Sequence, residues 1–109
     1  MICEDSKTNI EFAAEMERKA AVLQHGYFHS PHEAWAVLKE EVEEMCQEVN
    51  RGTFQGLLYM LWNDVKHDKE TDQAKLDEIY EKAFACACEA VQVMAMYLKW
   101  GESFGDGEE

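Results

Sequence analysis

A chain of 109 residues with 47% hydrophobic and 30% charged residues has the size and composition of one globular domain with a real core. Its formal net charge of −13 argues against nucleic acid and against an anionic membrane as partners, because both are met by basic surfaces. A phosphate-bearing ligand fits such a chain only if metal ions reverse the local field.

Four helices can be placed in order, and no segment alternates like a strand. The first spans about 9–25. Thr8 and Glu11 form a capping box, Phe12, Met16, Ala20 and Leu23 make an apolar stripe, and Gly26 stops it. The second spans about 31–50 and has the clearest start, with Ser30 at the N-cap, Pro31 at N1 and Glu33 at N3. Trp35, Leu38, Val42, Met45 and Val49 repeat along it at helical spacing, and Gly52 ends it. The third spans about 53–67, with Phe54, Leu57, Leu58, Leu61, Trp62 and Val65 on one face. The polar stretch His67–Asp72 reads as a loop, and the fourth helix spans about 72–100. Residues 1–100 are thus expected to form a single all-α domain, a four-helix bundle, followed by a disordered acidic tail at 101–109, GESFGDGEE.

The four cysteines, Cys3, Cys46, Cys86 and Cys88, lack paired-ligand spacing and read as reduced residues of a cytoplasmic protein. The start, MICEDSKTN, is too polar for a signal peptide. The run AFACACEAVQVMAMYL at 83–98 is too short, and too polar at its centre, for a membrane span.

That run carries the most informative residue. Glu89 and Gln92 interrupt it three apart, on one helical face. A carboxylate in a core-facing helix is costly unless it is paired. Arg18, Lys39 and Tyr97 are the ordinary partners to consider. The second acidic feature, KEEVEE at 39–44, places Glu41 and Glu44 beside the apolar stripe of the second helix, while Glu40 and Glu43 point towards solvent. Alone it reads as a solvated helix face. Opposite Glu89 it becomes an oxygen-rich cage, a donor set that suits Mg²⁺ or Mn²⁺ rather than Zn²⁺. Without a cation, at least one of the three carboxyls should titrate above its ordinary value. The fourth helix is apolar on more than one face, so one face is expected to meet another subunit, as a homodimer or a dimer of dimers.

The histidines and tryptophans are weaker signals. His29 and His32 flank the Ser30–Pro31 cap rather than sharing a helix face, so a base or phosphate contact suits them better than a metal. Trp35 is placed to stack on a base, although a core role is commoner for a Trp on an apolar stripe. Asp64 and His67 make one DxxH pair, short of the two Glu-based pairs a di-iron bundle uses.

HEAWAVLKEEVEEM at 32–45, with Glu40, Glu41 and Glu44 as an EExxE motif, resembles the first signature of the MazG-like all-α nucleoside triphosphate pyrophosphohydrolases. EAVQVMAMYLKW at 89–100 resembles the family's second metal-binding helix, in a variant where an EAxQxAAMA-like run replaces ExxD. The likeness covers roughly residues 25–100. It departs from the family at Gln92, where Asp is usual, and in a longer gap between the motifs, which implies an inserted helix or loop at about 52–75. The resemblance implies a bundle completed by oligomerisation and hydrolysis of a nucleotide to its monophosphate and pyrophosphate. It further implies Mg²⁺ held by Glu41, Glu44, Glu89 and Gln92, and water positioned by Glu40 alongside Glu41. Lys39, with Arg51 beside it as a further basic candidate, would meet a phosphate, and Trp35 and His32 the nucleotide. The change at Gln92 keeps open a second reading, a helical protein that retains this fold and acts through oligomerisation or partner binding.

Overall fold

Every regular element among the described residues, 1–105 of the computed structural model, is an α-helix: α1 (Glu4–His25), α2 (Pro31–Glu48), α3 (Arg51–Lys66) and α4 (Gln73–Phe104). Capping chemistry explains most of these boundaries. Ser30 Oγ accepts from the Glu33 N–H at 3.1 Å, and the Glu33 carboxylate accepts from the His29 N–H at 2.7 Å, so the start of α2 is secured on both sides. Gly26 ends α1 at a φ of 76°, a left-handed conformation that glycine adopts without Cβ strain, and its N–H closes on the Val22 carbonyl. Asp72 caps α4 by accepting from the Ala74 N–H at 3.0 Å.

Three boundaries differ from expectation. α1 begins at Glu4 rather than at a Thr8–Glu11 box, with Glu4 and Asp5 placed favourably at the positive end of the helix dipole. Gly52 does not stop α2. The helix ends at Glu48, and Asn50, whose side chain accepts from the Thr53 N–H, starts α3 with Gly52 in its first turn. α4 continues through Phe104, so residues 101–104 are helical rather than part of a tail; the remainder of the expected tail, 106–109, lies outside the described residues.

α4 is the hub. At 32 residues it is about 48 Å long, and α1 and α2 both lie against it without packing on each other. Residues early in α2 meet residues late in α4, so these two helices run antiparallel. α1 runs parallel to α4, with Phe12 near Phe84 and Tyr27 near Glu102. The core of Phe28, Ala34, Ala95 and Met96 sits towards the C-terminal end of α4, where two alanines of negligible exposure let α2 approach closely.

α3, in the segment expected as an insertion, touches only α4 among the other helices, and does so weakly. Lys75 of α4 reaches Asp64 of α3 at 3.8 Å. The described chain is therefore a three-helix unit with α3 at its margin, not a closed four-helix bundle. Its extents are 63 × 30 × 22 Å and its radius of gyration is 18.5 Å, where a compact chain of this length has roughly 13 Å. It exposes 8125 Å², against roughly 6200 Å² for a folded monomer of its mass.

Much of the excess is apolar. Phe12, Met16 and Leu23, the expected inward stripe of α1, are exposed, as are Leu58, Trp62 and Val65 of α3 and Phe84 of α4. The buried face of α1 is instead the small one, around Ala14. No helix among the described residues is long and apolar enough to cross a membrane.

Candidate metal centre

The antiparallel packing of α2 on α4 brings Glu41, Glu44 and Glu89 together. One carboxylate oxygen from each lies within 4.8 Å of the others. Glu44 is exposed, while Glu41 and Glu89 are half-buried. Oε1 of Glu89 is fully enclosed and is the one buried side-chain polar atom among the described residues without a hydrogen-bond partner.

The ordinary partners considered for Glu89 are all engaged elsewhere or remote. Arg18 pairs with Glu15 at 2.8 Å and with Glu102 at 2.9 Å. Lys39 pairs with Glu43 one turn along α2. Tyr97 is exposed. An enclosed carboxylate oxygen with no donor, beside two further carboxylates, makes this cluster a candidate cation site. Glu41 carries the mark of this crowding. Burial raises its pKa above the usual carboxylate range, and the charges of Glu44, Glu89 and Glu40 push the same way.

Of the three, Glu41 lines a cavity of about 500 Å³ between α1 and α2, floored by α4. Glu41, Gln92 and Glu17 line one end, and Phe28, Glu33 and Lys99 the other. Gln92 Nε2 donates to Glu17 Oε1 at 2.8 Å. A carboxylate only accepts, so the amide nitrogen of Gln92 must face Glu17 and its carbonyl oxygen points away from it.

The remaining expected residues are placed outside this cavity. Glu40 is exposed beside Glu41 and does not join the three-carboxylate cluster. Trp35 and His32 line a separate shallow hollow with Pro31 and Trp100, so neither reaches the acidic end of the cavity. Lys39 is paired with Glu43 on the exposed side of α2, and Arg51 is exposed at the start of α3. Asp64 faces Lys75, and His67 contacts the Asn63 carbonyl through Nδ1 at 2.8 Å, so the DxxH pair closes the α3–α4 turn.

Two charged cavity residues went unread in the sequence, Glu17 and Lys99. Lys99 follows Gln92 and Met96 at i+7 and i+3 on the same face of α4, a spacing that places it in the cavity once Gln92 is placed there. Comparison with protein-family models, with curated proteins and with solved structures returns no match.

Proposed function

We propose that this chain is a metal-dependent nucleotide pyrophosphohydrolase of the MazG-like type, acting as a homodimer or dimer of dimers in which a second copy completes the four-helix bundle. The observation that carries this reading is the enclosed, unpartnered Oε1 of Glu89 beside Glu41 and Glu44. The donors are all oxygens, which fits Mg²⁺ or Mn²⁺.

Glu41, Glu44 and Glu89 would hold the cation, with the Gln92 carbonyl as a neutral fourth donor. A divalent ion bound there supplies charge neutralisation for the phosphates and acidifies water. Water would attack the α-phosphorus and give up its proton to solvent through the open cavity, the bond from that phosphorus to the α–β bridging oxygen would break, and pyrophosphate would leave with the electron pair. Glu17 fixes Gln92 by accepting from its amide. Further support comes from the size of the cavity, which suits a nucleotide. The surface in excess of a monomer's, about 1900 Å², is in the range one subunit gives up in a large obligate interface.

The test is pyrophosphate release from a panel of nucleoside triphosphates with Mg²⁺ or Mn²⁺. Wild type is expected to release it, and Glu89→Gln to lose at least about a hundredfold, the loss expected when a group that holds the charge-stabilising ion is removed. No release by wild type from any common or modified nucleotide overturns the reading in favour of the second one, a helical oligomerisation or partner-binding protein. That alternative draws on the exposed apolar faces of α1, α3 and α4.

A further inference from the structure

Lys99 is only 5% exposed, yet no carboxylate among the described residues lies within ion-pair distance of it. Its Nζ instead stands 4.2 Å from the centroid of the buried Phe28 ring. What sets it apart from the other lysines without an ion pair is burial: Lys99 is the one buried charged residue among the described residues. One aromatic face offsets only part of the desolvation of an ammonium group, and its three N–H donors, with no protein acceptor among the described residues, reach the cavity.

The cavity tells which acceptors reach them. Lys99 follows Glu89 by ten residues and Gln92 by seven, so it sits roughly 15 Å and 10 Å further along α4. On α2 its charge is felt at Glu33, roughly 12 Å before Glu41, whereas the groups acting on Glu41 are all acidic. Glu41, the cavity-lining member of the acidic cluster, and Lys99 thus mark opposite ends of one cavity. A cation held at the acidic end fixes the phosphates there, and the other end of the ligand comes to Lys99 and Phe28.

We infer that Lys99, steadied over the Phe28 ring, reads the nucleobase by donating to a ring carbonyl oxygen, so that the site favours oxo bases over amino bases. The inference rests on the nucleotide reading above. Lysine donates and cannot accept. Guanine O6 and thymine or uracil O4 are acceptors at the positions where adenine and cytosine carry amino groups. Comparison within one ring size, guanine against adenine and thymine against cytosine, therefore isolates the contribution of Lys99.

The experiment measures binding of the non-hydrolysable α,β-methylene analogues of dGTP, dATP, dTTP and dCTP to the full chain with saturating Mg²⁺. Wild type is expected to prefer dGTP over dATP and dTTP over dCTP by about tenfold, the discrimination one hydrogen bond provides. Lys99→Met should remove both preferences while leaving the dATP and dCTP analogues bound within about threefold of wild type. Lys99→Arg, which keeps the donors, should retain both preferences and guards against reading a folding defect as a lost contact. Equal affinity of wild type for all four, or an equal loss for all four in Lys99→Met as a phosphate contact would give, overturns the base-reading role and leaves the nucleotide reading standing. No binding of any analogue by wild type overturns both.

Discussion

Gln92 of α4 and Glu17 of α1 are joined by a 2.8 Å hydrogen bond across the parallel α1–α4 contact. The pair ties the Glu89 face of α4 to a helix that supplies none of the three clustered carboxylates. It explains what a glutamine does beside Glu89: an aspartate in its place would meet Glu17 as a like charge, whereas the amide donates to it. Gln92→Asp is therefore expected to lower stability in EDTA by about 1 kcal/mol, through loss of a charge-assisted bond at a partly exposed site. The exchanged pair Glu17→Gln with Gln92→Asp should recover most of that loss, since the amide then donates from the other side. A double-mutant cycle by urea denaturation checks this, and a coupling near zero would show that the bond does not hold α1 to α4.

The raised pKa of Glu41 gives a pH dependence with a definite sign. A carboxyl whose folded-state pKa lies above its unfolded value binds its proton more tightly in the folded chain. Its contribution to apo stability is thus greatest at low pH and is lost as pH rises from the ordinary carboxylate range through the raised pKa. Thermal melts in EDTA should show wild type losing stability over that window, and Glu41→Gln should flatten that part of the profile. Calorimetry in buffers of different ionisation enthalpy should detect proton release when Mn²⁺ binds within the same window, because cation and proton compete for Glu41.

The exposed apolar faces make a prediction about assembly. Phe12, Met16, Phe84 and Val91 line a groove of about 550 Å³ between α1 and α4. Sedimentation at micromolar concentration should give at least twice the 12.6 kDa chain mass. Phe84→Glu, on the exposed side of α4 away from the Phe28–Ala95 core, should shift the species towards monomer while the helical circular dichroism signal persists. A monomeric wild type would remove the dimer from the account.

Helix number, the start of α2 and the facing of Glu41 and Glu44 towards Glu89 were legible in the sequence, because each rests on local chemistry or on helical periodicity. The Ser30–Pro31–Glu33 start is local. The cluster follows once two acidic helices share a core. The orientation of α1 was not legible. Phe12, Met16 and Leu23 read as a buried stripe, yet Ala14 and Ala21 pack inward instead. Periodicity finds the apolar face but does not say whether this chain or another copy covers it. Lys99 was hidden for a related reason: a lysine near a helix end reads as solvent-facing until the tertiary arrangement closes over it.

The account stands on a cation at Glu41, Glu44 and Glu89, and a Mg²⁺ or Mn²⁺ titration followed by thermal melting tests it most directly. Wild type should gain Tm saturably as the ion binds the folded chain and relieves the repulsion among the three carboxylates. Glu89→Gln should lose that response and melt higher than wild type in EDTA. Relief of an unpartnered buried group by about 1 kcal/mol corresponds to roughly 4–8 °C for a domain of this size. Glu43→Gln, on the exposed side of α2 where Glu43 meets Lys39, should respond to the ions as wild type does. A wild-type Tm indifferent to both ions, or a Glu89→Gln variant that responds as fully as wild type, would contradict the metal centre.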